Sequence, residues 1–374
     1  MEDFALGTFL ARWYPTMRHN LAASESETWR VPELLALASP DDLARWDDLG
    51  LGYTDPNGAE WLRTRIAEGY EQIDATHIIA CAGAQEAFNL TLRALLTLDD
   101  HAIIILPAYQ PCEMAMSNLC ATTGIALDAT QGWALDIDAI KAAIRPNTRL
   151  ILINFPNNPT GKLIDADAFD ALIALCREHG LWLINDEVYR LIDRDPTQRL
   201  PCVADAYELG ISIDAVSKSM GLPGLRVGWL ASKDKNLIAH VNSLKCRESL
   251  CLSAPSEVLA HIALGAADAL LSRNREIARS NLEVLDAFMQ DHADRVSWHR
   301  SEGGVVGYIR YHGDVETFAT NLARDTGTLV LPASVWASRL AELPTDHFRV
   351  GFGKLSFTEG IARLSFALSQ RLAA

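Results

Sequence analysis

Short, almost wholly apolar runs recur through the first two thirds of the chain, and helical patterns separate several of them. The runs are His77–Cys81, Ala102–Leu106, Arg149–Ile153, Leu181–Ile184, Ile211–Ala215 and Val227–Leu230. An apolar run without polar alternation reads as a strand covered on both faces, as in a parallel sheet. Gln85–Leu96 and Asp165–His179 read as helices. In the second, Phe169, Leu172, Ile173, Leu175 and Cys176 make one apolar face. Alternating strand and helix predicts an α/β fold with a mostly parallel central sheet flanked by helices.

The 374 residues exceed the size at which a single core usually stops growing, so a second unit is expected. Helical stretches at Asp234–Arg247 and Pro255–His292 lead into candidate strands at Gly303–Arg310, Thr328–Leu331 and His347–Phe352. The expected organisation is an N-terminal segment, 1–35, packing with a small α/β C-terminal domain, 291–374, and a large domain, 36–290, between them.

A net charge of −15 argues against a nucleic-acid partner, which is held through clustered Lys and Arg. No apolar stretch approaches the length of a membrane span, and Met1–Arg12 does not read as a signal peptide. The seven cysteines form no C-x-x-C pair and are odd in number, which speaks against a disulfide framework or a metal site. A cytoplasmic location follows as the expectation.

Three motifs sit where such strands end, the edge at which open α/β sheets bind ligands. They are Asn154-Phe155-Pro156-Asn157-Asn158-Pro159-Thr160-Gly161, Asn185-Asp186-Glu187-Val188-Tyr189, and Ser217-Lys218-Ser219-Met220-Gly221-Leu222-Pro223-Gly224-Leu225-Arg226. Together they supply what a pyridoxal phosphate site needs. Lys218 offers an amine for a Schiff base, with Ser217, Gly221 and Gly224 as small neighbours that let a cofactor approach. Asp186 offers a carboxylate for the pyridinium nitrogen, and Asn158 and Tyr189 offer donors for the ring oxygen. Arg226 offers a guanidinium for the phosphate, aided by the amides of Gly83, Ala84 and Gln85 at a helix N-terminus. Tyr109 can stack on the ring. Arg349, inside the apolar run Phe348–Phe352, reads as a clamp for a substrate carboxylate.

In these residues, their order and the lysine-to-arginine spacing, the chain resembles the class I/II aminotransferases among the fold-type I pyridoxal phosphate enzymes. The resemblance runs from Tyr53 to Arg349. It implies that Lys218 carries the cofactor as an internal aldimine and, once freed, acts as general base. The implied reaction transfers an amino group from an L-amino acid to a 2-oxo acid in ping-pong order. The resemblance also implies a homodimer with shared sites, in which Tyr53 reaches the phosphate bound by the neighbouring subunit. A β-eliminating lyase, or a cyclase like capreomycidine synthase, would use the same residues. A regulator with a DNA-binding module is a poor fit, because only about 50 residues precede Tyr53.

The chain departs from the family pattern in three places. Ala215 stands where S-x-S-K has a hydroxyl, Gln85 stands where many relatives have one, and residues 20–27 lack G-x-P. Glu25, Glu27 and Glu248 read as solvated surface acids before they read as partners for a cationic substrate tail.

Overall fold

A computed structural model describes residues 4–370. In chain order the strands are β1 (His19–Asn20), β2 (Ile78–Cys81), β3 (His101–Leu106), β4 (Ala121–Ala126), β5 (Thr148–Asn154), β6 (Trp182–Asp186) and β7 (Gly210–Ala215). They continue with β8 (Gly228–Ser232), β9 (Val296–Trp298), β10 (Val306–Tyr311), β11 (Thr328–Leu329), β12 (Leu331–Pro332) and β13 (His347–Gly351). A seven-stranded sheet has the order β2-β8-β7-β6-β5-β3-β4. Strands β3 and β6 are buried along their length and the sheet is packed between layers of helices, the α/β arrangement that the apolar runs predict.

The sheet is mostly parallel, as expected, with one of the six runs reversed. The β3, β5, β6 and β7 strands pair in parallel, but β8 is antiparallel to both β7 and β2. Between β7 and β8 the chain makes one turn of 3-10 helix, Pro223–Leu225, and no crossover helix. Without such a crossover the chain returns antiparallel. The consequence is functional. The ends of β2, β3, β5, β6 and β7 share one edge of the sheet, and β8 begins there, so Arg226 joins Lys218 at that edge.

Two further differences have local causes. The edge strand β4, Ala-Thr-Thr-Gly-Ile-Ala, has one covered neighbour and no continuous apolar run, so the sequence gives it no buried-strand signal. The single helical stretch expected over 255–292 is two helices, Ala254–Gly265 and Ala267–Asp291, bent by 75° at Ala266, whose φ of −103° and ψ of 20° are not helical. No single helix among the described residues is long and apolar enough to cross a membrane.

The second unit is built on an antiparallel sheet of order β12-β13-β10-β9. Helix Val315–Thr326 covers it, starting where Asp314 accepts from the amides of Glu316 and Thr317 and stopping at Gly327 in the left-handed region. The N-terminal stretch joins this unit, since β1 pairs in parallel with β11 and the Gly351 amide donates to Leu21 O at 2.7 Å. Residues 21–27 then run between this unit and the edge of the large sheet.

Candidate active site

The edge where the parallel strands end faces a cavity of about 340 Å³. Of the residues singled out from sequence, Ala84, Gln85, Tyr109, Asn158, Asp186, Tyr189, Ser217, Lys218, Arg226 and Arg349 line it. Gly83 lies directly behind, against Arg226. Tyr53 is elsewhere, 90% exposed on the outside of the chain.

Hydrogen bonds between loops hold these groups together. The Asn157 side chain donates to Pro107 O at 3.2 Å and accepts from the Thr160 hydroxyl at 2.7 Å, tying the loop after β5 to the loop after β3. Asn158 is fixed by its amide, which donates to Asn154 Oδ1 at 3.0 Å. Asp186 ends β6, where the Val188 amide donates to its carboxylate at 3.3 Å. Burial pushes this carboxyl up to about 7, and that one backbone bond and Lys218 only partly oppose the rise. A buried carboxylate so poorly supplied with donors suits a protonated ring nitrogen.

The Lys218 Nζ donates to Ser24 Oγ at 2.7 Å. Burial lowers its pKa to about 8, with Glu25 and Asp186 pulling the other way and Arg349 adding to the fall. Part of the amine is therefore neutral near pH 8, as attack on an aldehyde requires. The Tyr189 hydroxyl is buried without a hydrogen-bond partner of good geometry, although Ser24 lies close by. Such an orphaned donor fits a ligand oxygen. The fit extends to the phosphate end. Gly83, at φ 84°, caps helix Ala84–Leu95, and a Cβ there would sit 2.4 Å from Arg226 Nη2. Glycine thus lets the guanidinium close on free first-turn amides, the arrangement that favours a phosphate.

Arg349 is 3% exposed, and no carboxylate lies within ion-pair distance of it among the described residues. It donates to Asn158 Oδ1 at 2.9 Å and to Ala22 O, lies over the Trp336 ring at 5.3 Å, and leaves Nε without a partner. Two neutral oxygens do not compensate a buried cation, so the group is set up for an anion.

Sequence reasoning missed Leu6, Leu10, Tyr14, Phe88 and Leu331, which also line the cavity, and marked Asn20 and Ser24 only as part of the departing 20–27 segment. The four-residue spacing of Leu6 and Leu10 places them on one face of helix Ala5–Trp13, with Tyr14 following at its C-cap, a signal available in the sequence. The expectation for Glu25 needs correction. It lines the cavity and pairs with Lys354 at 2.9 Å. Burial alone would raise its carboxyl, but Lys354 and then Lys218 hold it below the usual range. Glu27 and Glu248 are outside the cavity, Glu27 accepting from the Leu355 amide and Glu248 paired with Arg93. Gly221 does not border the cavity either. Its φ is 73°, and a Cβ there would meet Glu27 O at 2.1 Å, so it admits the passing 21–27 segment.

The pKa of Asp186 carries a stability prediction for the cofactor-free protein. Its folded value of about 7 exceeds the unfolded value of about 3.9, so the folded state binds the extra proton and stability falls as pH rises between them. Asp186→Asn should therefore melt higher than wild type near pH 8 and lose that advantage near pH 4. Thermal melts of both proteins across pH check this; a constant difference would mean the carboxyl is ionised throughout.

Comparison with known proteins agrees with this geometry. The family profile described as aminotransferase class I and II matches residues 21–357. An arginine–pyruvate transaminase from Pseudomonas aeruginosa is 29% identical over 339 residues, 86% of this chain and 83% of the relative. A capreomycidine synthase from Streptomyces vinaceus is 28% identical over 349 residues, covering 89% and 84%. Among solved structures, a PLP-dependent aminotransferase from Streptococcus suis superposes with a TM-score of 0.91 at 25% identity, over 100% of this chain and 99% of that one.

Proposed function

The chain belongs to the class I and II aminotransferases, which depend on pyridoxal phosphate, and from that premise we propose how its own residues carry out amino-group transfer. The substrates are an L-amino acid and a 2-oxo acid. One observation carries the reading: Lys218, Asp186, Tyr189, Asn158 and Arg349 meet in one cavity, each with a donor, acceptor or charge left unsatisfied or only partly matched by protein.

Pyridoxal phosphate, when bound, supplies the electron-accepting ring that makes an amino acid's α-proton removable. Lys218 would hold it covalently and, once displaced by the substrate amine, take the α-proton on Nζ as general base. Asp186 would keep the ring nitrogen protonated. Tyr189 and the Asn158 amide would donate to the ring oxygen, and Tyr109 would cover the ring face. Arg226, Ser217 and the first-turn amides of Ala84 and Gln85 would hold the phosphate. Ala215 and Gln85 add no hydroxyl there, which leaves more of this task to the guanidinium and the backbone. Arg349 would orient the substrate carboxylate while Asn158 Oδ1 steadies the guanidinium, so one amide would serve both ends of the site.

We further propose a cytoplasmic homodimer. Its support is the exposure of Tyr53 at 90% and Leu51 at 84% on one surface loop, where a second copy would cover them and receive Tyr53 at its phosphate site. Named transaminases predominate among the relatives, which favours transfer over the cyclase alternative.

The test is an absorbance titration of cofactor-loaded protein with single amino acids and no acceptor. A productive donor should bleach the visible band and release about one oxo acid per site, after which a 2-oxo acid should restore the band. Continued release of pyruvate and ammonia with the band intact would instead identify a β-eliminating lyase.

A further inference from the structure

Lys218 is gripped by the segment in which the chain departs from the family pattern, residues 20–27. Residues 24–26 run past the lysine with two contacts. The Ser26 amide donates to Lys218 O at 3.0 Å, and Ser24 Oγ accepts from Lys218 Nζ at 2.7 Å. The segment is itself anchored. Glu25 pairs with Lys354 at 2.9 Å and accepts from the Ser24 amide at 3.2 Å, and Lys354 Nζ donates to Ser26 O at 2.8 Å. Ser24 is thereby fixed in the cavity wall between the lysine amine and the orphaned Tyr189 hydroxyl.

Resting on the aminotransferase reading, we infer that Ser24 is a positioning residue for the proton-transfer step, holding the displaced Lys218 amine by a hydrogen bond to its Oγ. A flexible four-carbon side chain released from the cofactor has many rotamers, and few point its lone pair at the α-carbon. A fixed acceptor removes most of them. In the step itself the α C–H bond breaks, its electron pair stays with the carbon, and the proton forms a new N–H bond on Nζ. Ser24 accepts from the resulting ammonium, which stabilises it relative to the neutral amine. The charged and titratable groups that also face this amine are Glu25, Arg349, Asp186 and Lys354. Among the described residues none of them hydrogen-bonds to Nζ, so Ser24 alone fixes its direction.

The test uses full-length wild type, Ser24→Ala and Ser24→Thr. In the first arm, pyridoxal phosphate is added to cofactor-free protein and growth of the visible band is followed across pH, so that the midpoint reports the Lys218 amine. Ser24→Ala should move that midpoint down by about one pH unit, and Ser24→Thr should leave it in place. In the second arm, Ser24→Ala should lower kcat about 100-fold with KM nearly unchanged, and α-deuterated donor should show a larger isotope effect than with wild type. Ser24→Thr should restore most of the rate. Coincident midpoints, or a kcat unaltered by the alanine, overturn the inference. If wild type transaminates no amino acid, the aminotransferase reading fails, and the first arm still decides whether Ser24 controls Lys218.

Discussion

Lys218→Ala is expected to lose the covalently held cofactor and its visible absorbance, and to slow amino-group transfer by about 10⁴-fold or more. The size of the effect follows from the double use of one amine, first as the cofactor's attachment and then as the base at the α-carbon. Folding should be little affected. The side chain is half-buried, its one side-chain hydrogen bond is to Ser24, and burial works against its charge. Removing a poorly solvated cation leaves no buried partner charge stranded, because Glu25 keeps Lys354 and Asp186 moves toward its neutral form. The check is to load the variant with pyridoxal phosphate, remove the excess by gel filtration, and record its spectrum, turnover and thermal melt. A retained visible band with normal turnover would refute the assignment of Lys218.

How much of this site was legible in the sequence depended on whether a residue's role is local. Asp186, Asn158 and Lys218 lie at or within a few residues of the ends of apolar runs, and a strand end fixes position without knowledge of the partners. Arg349 was legible for a different reason, as a cation in a run that otherwise reads as core. Ser24 is marked only as part of the 20–27 segment that departs from the family pattern, with no role of its own. It ends no strand of the large sheet, and its importance comes from an approach to Lys218 across 194 residues of sequence, made possible by Gly351 and Gly221 lying against Ala23 O and Glu27 O. The sense of β8 was illegible for a related cause, since a buried strand has the same composition in either direction and only the missing crossover helix decides between them. Glu25 reads as solvated in the sequence because acids usually are; the lysine that draws it inward is more than 300 residues away in the chain.

Arg349→Leu should raise the apparent KM for the amino donor by about 100-fold, with a smaller effect on kcat. Two charge-assisted hydrogen bonds to a carboxylate are worth about 3 kcal/mol or more together, and they form in the bound state as well as in the transition state. The same substitution should leave the melting temperature of the cofactor-free protein within a few degrees of wild type or raise it. The guanidinium is 3% exposed, has no carboxylate within ion-pair distance among the described residues, and keeps an unpartnered Nε, while burial lowers its pKa. A leucine in β13 would sit beside Leu331 and Trp336 without that desolvation cost. Arg349→Lys should recover little of the affinity, since one ammonium cannot reproduce a planar fork held between Asn158 Oδ1 and Ala22 O. Steady-state kinetics with the donor identified by the titration, alongside thermal melts, separate the two consequences. A variant with unchanged KM and a markedly lower melting temperature would make Arg349 a structural cation, and the carboxylate site would have to lie elsewhere in the cavity.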